Sequence, residues 1–383
     1  MAKQKVFNVF DELAKLADEA RINLAEEYPT APTPELKVDP KKGNEYLGKG
    51  TDALNKTFYK ARNTAQKEID AGNYDPFFPV EQRYHVDPTN YPLEGNTLID
   101  TLPKKAATLE KNQARLDTQA GRDALNRAFD AKAGDPAFAN WYAMGQLEEE
   151  FVKTFGEELG RKMFKERFAD AMAATTGGMS PEMNLMAAQY GNFLKERGLR
   201  FPEASYEIQS PVRGGSIATN AAMYNKIIND EVGLSAAQQP KRYNFSANFM
   251  GHQGPATIDE QMTKGMTQSI AGGPLKAPPP SGGGYSIMEN IVAEEAAKRG
   301  LQGSNMQDVA WAGFKNMEVP MPMIKVVNEA IERTARILNM KPAEVFENYK
   351  KGMPLYGATG IAMANYDDIM GAMSSMGQDR EAR

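Results

Sequence analysis

Between Lys104 and Lys350 apolar side chains recur at steps of three and four, and no alternating run competes with them. A chain patterned in this way has to bury helical stripes against one another. The period predicts helices over 104–133, 136–156, 158–175, 181–197, 216–232, 241–250, 257–270, 285–299, 304–316, 320–338 and 341–350. Gly134-Asp135-Pro136 and Ser180-Pro181 are good helix starts, because proline is tolerated in the first turn and the preceding Asp or Ser can cap. The stretch 271–284, AGGPLKAPPPSGGG, is a loop by composition that interrupts the helices without dividing them.

The first hundred residues read differently. Phe7, Phe10, Leu13, Leu16, Ala17, Ala20 and Leu24 make Val6 to Glu27 an amphipathic helix in need of a partner surface. A connector with four prolines follows from Pro29 to Lys42, and a second helix spans Thr51 to Ala71 with Gly72 at its end. Asn73 to Lys104 carries five prolines and the aromatics Tyr74, Phe77, Phe78, Tyr84 and Tyr91, which marks an ordered wrapping segment, since disordered chains are poor in aromatics. The expected organisation is an N-terminal extension over 1–135, a helical domain over 136–350 and a tail over 351–383. The fold class is mostly α with an extended, partly irregular N-terminal segment.

Composition narrows the chemistry. With no cysteine among 383 residues, disulfides, thiol nucleophiles and iron–sulfur clusters are excluded. His85 and His252 stand in no metal-ligand spacing, so neither a metal nor another cofactor is expected. No apolar run is long enough to cross a membrane and no signal-like start is present, which points to the cytoplasm. A net charge of −5 means that any contact with nucleic acid must use a local basic face. Gly43 to Lys49 fits the frame of a phosphate loop, but Gly50 stands where Ser or Thr belongs and no strand precedes it.

One stretch carries the functional reading. Pro240 to Asp259 places a basic residue at a helix start, then a Gly-containing break, then a carboxylate opening the next helix. Lys241 and Asp259 stand 18 positions apart. This layout resembles the helix-hairpin-helix DNA glycosylase superfamily, in which a lysine-entered helix leads to a segment bearing an essential aspartate. Trp141-Tyr142 opening a helix, Ala173-Ala174 leading to Ser180-Pro181-Glu182 with Asn184-Leu185, and Met306-Gln307 to Trp311 in a closing helix pair that begins at Tyr285 are similar to a phage branch of that superfamily. That branch includes proteins described as α-glutamyl/putrescinyl thymine pyrophosphorylases. The likeness covers roughly residues 138–316. It departs at Leu234 to Pro240, where the glycine hairpin belongs, at Gln261, where histidine belongs, and in lacking a cysteine cluster.

The resemblance implies a helical DNA base-processing enzyme acting on an extruded or modified base, with phage DNA as partner and the host cytoplasm as its place. Asp259 is the expected catalytic carboxylate and Lys241 either a nucleophilic amine or a phosphate contact. Ser180, Asn184, Gln261, Trp141, Gln307 and Trp311 are implied to bind substrate, and Lys226, Arg242 and Lys264 to form the basic face. Read from the residues alone, Asp259 is also a good helix N-cap, Lys241 a solvated first-turn residue and the tryptophans core. The alternative is a non-catalytic DNA-binding or virion-associated structural protein whose N-terminal arm binds a partner or a second copy.

Overall fold

The computed structural model describes residues 60–93 apart from 62, together with 106–195, 200–201, 215–280 and 283–350. The expected helix at 6–27, the connector at 29–42, the glycine frame at 43–49 and the tail at 351–383 lie outside the described residues. Among the described residues there is no strand, and the mostly helical class stands. No described helix is long and apolar enough to cross a membrane.

The chain divides into two compact units, each built from separated segments. One takes residues 78–176 and 226–326; the other takes 1–77, 177–225 and 327–383.

In the first unit, α1 (Ala106–Leu116) and α2 (Gln119–Asp130) replace the single helix that the period suggests over 104–133. Thr118 stops the run: its backbone is extended and its hydroxyl accepts from Gly121 N at 3.1 Å, capping α2. A short 3-10 turn (Pro136–Ala139), capped by Asp135, leads to α3 (Gly145–Phe155) and α4 (Glu157–Phe164). Trp141 and Tyr142 lie in the turn before α3 rather than opening a helix. A π-helical turn, Lys165–Asp170, passes into the buried α5 (Ala171–Thr175).

The second unit holds the helical residues 60–70, α6 (Pro181–Lys195), α7 (Gly215–Tyr224), most of α12 (Met323–Leu338) and α13 (Pro342–Lys350). Gly72 closes the first of these at φ 77°, the left-handed position a glycine C-cap needs. Arg333, 1% exposed, pairs with Glu182 and Glu329, which neutralise its buried charge, and donates a further hydrogen bond to Gln66.

The first unit is completed by α8 (Pro240–Phe249), α9 (Glu260–Met266), α10 (Gly284–Ala297) and α11 (Gly303–Phe314). Its core joins Leu125 and Phe129 of α2 to Met262 and Met266 of α9, to Ile287, Met288, Ile291 and Val292 of α10, and to Met306, Val309 and Ala310 of α11. Glycines allow the helices to close up. A Cβ on Gly313 would meet Ala128 O at 2.0 Å, so α11 can approach α2 only as glycine there.

The aromatic-rich segment is ordered where it is described. Phe78, Val86 and Tyr91 are buried. Tyr84 O accepts from Gly145 N at 2.9 Å, Pro79 O from Gln146 Nε2 at 3.0 Å, and Tyr91 O lies 2.7 Å from His252 Nε2. Residues 78–93 thus wrap their own helical unit.

Candidate functional site

Asp259 has an extended backbone at the N-cap of α9. Its Oδ1 accepts from Met262 N at 2.9 Å and its Oδ2 from Trp311 Nε1 at 2.9 Å. Both oxygens are engaged, so the carboxylate is fixed in place while remaining partly open to solvent. Lys241, at the second position of α8, is mostly buried, and its Nζ forms no hydrogen bond or ion pair among the described residues. Burial pushes its amine below the ordinary lysine range and Arg242 adds to that, while Asp259 and Glu260 pull it back up. The two residues singled out in the sequence therefore feel each other's charge, yet they are not in salt-bridge contact.

The segment that carries Asp259 is held by side chains. Asn244 and Asn248, one turn apart on α8, face the loop that follows their own helix. Asn248 Nδ2 donates to His252 O and Pro255 O at 2.8 and 2.9 Å, and its Oδ1 accepts from Thr257 Oγ1 at 2.8 Å. Asn244 Nδ2 donates to Ala256 O at 2.9 Å and to Glu289 Oε1 at 2.8 Å. From α10, Tyr285 OH donates to Ala256 O and accepts from Ile258 N at 2.9 Å, and Glu289 Oε1 accepts from Ala256 N at 3.2 Å. The backbone at 256–258 belongs to no helix or strand, so these side chains supply the partners that regular structure would give.

More titratable groups gather here than core packing needs. Burial raises the Tyr142 and Tyr285 phenols, and Asp259 acts on both. Burial raises the Glu289 carboxyl to about 7, against the hydrogen bonds from Ala256 and Asn244. Burial also holds the Asp308 carboxyl well above the carboxylate range, opposed by the Trp141 backbone amide. Glu289 Oε2, Asp308 Oδ2 and Trp141 Nε1 are buried without a hydrogen-bond partner among the described residues. Such a concentration of raised carboxyls and phenols is commoner at working sites than in scaffold.

The remaining residues are distributed as follows. Trp311 spends its N–H on Asp259, and Lys315 Nζ sits 5.1 Å from its ring centroid, so one ring face is already covered. Trp141 packs against Tyr142, Phe245 and Phe249 at centroid distances of 4.8, 5.6 and 5.7 Å. Gln307 is buried on α11, 3.4 Å from Tyr142 OH. Gln261 follows Asp259 in the first turn of α9 and is half-buried. Ser180 caps α6, accepting from Met183 N at 3.3 Å, and Asn184 is buried one turn further on. Both belong to the other unit. Arg242 Nε donates to Ala173 O at 3.2 Å, Lys264 pairs with Glu260 at 2.5 Å, and Lys226 is exposed.

A surface depression of about 500 Å³ is lined by Asn90, Tyr91, Glu157, Glu158, Arg161, Lys162 and Lys165, of which the sequence singled out only Tyr91, as part of the wrapping segment and not of a site. Its cations are already paired: Arg161 with Glu157, Lys162 with Glu166 and Lys165 with Asp170. Among the described residues no cluster of three or more His, Asp or Glu side chains is placed to hold a metal ion.

Asn244, Asn248, Tyr285, Glu289 and Asp308 escaped the sequence reading. The legible sign was polar residues four apart on otherwise apolar helix faces, Asn244 with Asn248 and Tyr285 with Glu289. No protein-family model, no curated protein and no solved structure matches the chain.

Proposed function

We propose that the chain processes a nucleobase in DNA, cleaving or exchanging the bond to an extruded base, with Asp259 and Lys241 at the reacting centre. The observation that carries this reading is the pairing of a carboxylate immobilised by Trp311 and Met262 with a mostly buried, unpartnered amine on the preceding helix. As the C1′–N bond lengthens, positive charge grows on the sugar, and a fixed carboxylate stabilises it without reorganising. In hydrolysis water supplies the new C1′–O bond and the base departs with a proton. With its pKa lowered, Lys241 supplies a larger fraction of free amine, able instead to attack C1′ and form a C–N bond as the base leaves.

The test is incubation of the full chain with oligonucleotides bearing uracil, 5-hydroxymethyluracil and other modified pyrimidines, followed by chromatography of free bases and nucleosides. Release or conversion is expected, with Asp259→Asn slower by about 10²–10⁴-fold, the range for loss of a positioned carboxyl. Unaltered nucleosides across the panel would sink the reading.

A second reading, a non-catalytic virion-associated structural role, is favoured by one observation: Arg242 and Lys264, expected at the DNA, are engaged with Ala173 O and Glu260.

A further inference from the structure

We propose that Glu289 is a proton-operated positioning residue, a latch on the 256–258 segment whose protonation state sets where Asp259 stands. The inference rests on the reading of Asp259 as the reacting carboxylate, but its geometry stands apart from that reading. Glu289 Oε1 is shared by Ala256 N at 3.2 Å and Asn244 Nδ2 at 2.8 Å, while Oε2 is buried with no hydrogen-bond partner among the described residues. A neutral acid suits this arrangement: the carbonyl oxygen accepts twice and the proton sits on Oε2. Ionisation leaves a charge in apolar surroundings with one oxygen unsatisfied, a state relieved by admitting water or shifting the segment.

The surroundings offer the charge nothing else. Tyr285 comes from the same helix, Asn244 from α8 and the Ala256 amide from the segment, and no lysine or arginine is among the influences on Glu289. On α2, Arg122 reaches Glu294 and Glu295 instead. Asp259 acts on the Tyr285 phenol, not on Glu289. Glu295 shows what a cation does on the same helix: burial would raise it, but Lys298, Asn126 and Arg122 outweigh burial and hold it at about 2. Glu289, raised to about 7, changes charge in the physiological range.

The connection to Asp259 runs three residues along the chain. Ala256 is bonded through both N and O and Ile258 through N, so slackening the first bond frees the segment that ends at Asp259. Asp259 in turn accepts from Trp311 Nε1.

That bond supplies a readout independent of catalysis. The chain has two tryptophans, and Trp141 Nε1 has no hydrogen-bond partner among the described residues, so the two indole N–H resonances differ in kind. In full-length protein with ¹⁵N-indole label, titrated from pH 5.5 to 8.5, the Trp311 resonance is expected to shift with a midpoint near 7. The step should disappear in Glu289→Gln, which keeps an acceptor oxygen but cannot ionise, and persist in Lys241→Met. No step in the wild type, or a step retained in Glu289→Gln, overturns the proposal. Should Glu289→Gln fail to fold, ¹³C-carboxyl glutamate in the wild type decides: the Glu289 carbon and the Trp311 N–H must share one midpoint, and separate midpoints overturn it. If base processing is also seen, its rate should carry a limb near pH 7 that Glu289→Gln removes. Absence of any activity with the Trp311 step intact sinks the functional reading and leaves the latch standing.

Discussion

At the residue scale, Asp259 is a helix cap, and the proposed function asks the same side chain to serve as the reacting carboxylate. One oxygen closes the α9 amide at Met262 and the other takes the Trp311 N–H. Asparagine can still cap, but its amide cannot accept from the indole, so Asp259→Asn separates the roles. We expect thermal unfolding to show a loss of about 1 kcal/mol, the scale of one hydrogen bond, alongside the much larger loss of rate. Lys241 poses the converse case. Its amine is desolvated without a partner, so Lys241→Met should unfold at a higher temperature, by about 1 kcal/mol of added stability. Borohydride trapping of the wild type on DNA with an aldehydic sugar, absent in Lys241→Met, would show the amine acting as nucleophile; equal trapping in both would exclude that role. The sequence placed these two residues because helix starts and caps have local signatures. Glu289 was missed because its one local sign, the spacing of four from Tyr285, does not say what the carboxyl meets, and α10 carries both an exposed glutamate, Glu294, and a buried, cation-paired one, Glu295.

At the scale of elements, α8 and α10 satisfy the irregular 256–258 segment by presenting polar side chains at helical spacing to its backbone. The loop before that segment is closed on its other side by residues 78–93. Gly251 is the tight point: at φ 88° its Cβ position would lie 1.9 Å from Val86 O. Gly251→Ala should therefore push the arm away at a cost of more than about 2 kcal/mol, combining backbone strain with overpacking. Proteolysis or hydrogen exchange should then show residues 78–93 exposed while α8 stays protected. Unchanged exchange would mean that the arm is held elsewhere. The helix start at Ser180 was legible from its cap and proline, whereas Asp135 and Pro136 open only a 3-10 turn ahead of a helix that begins at Gly145, and the break at Thr118 was missed because the apolar period runs through it. The period sees one helix because both sides of the break bury the same face.

At the scale of the molecule, opposing shifts set an optimum in pH. Glu289 and Asp308 have raised pKa values when folded, so the folded state binds the extra protons and stability falls as pH rises, for Glu289 between 4.5 and about 7. Glu295, depressed to about 2, and Asp117, held down by Arg122, stabilise above the carboxylate range and lose that contribution as pH falls. From these groups stability is expected to peak near pH 4.5, where Glu295 is ionised and Glu289 still protonated, with Glu289→Gln flattening the alkaline side; urea midpoints across pH 3 to 9 measure it, and a maximum above pH 7 would contradict it. Apolar spacing and helix-end chemistry, both local, were enough to determine a helical chain, most of its helix positions, and the places of Lys241 at a helix start and Asp259 at a helix cap. Only tertiary structure decided that the helices sort into two discontinuous units, that the aromatic arm folds onto its own chain, and that Asn244, Tyr285 and Glu289 converge on one irregular segment. Burial and long-range hydrogen bonding depend on which helix faces meet, and no window of sequence contains that information.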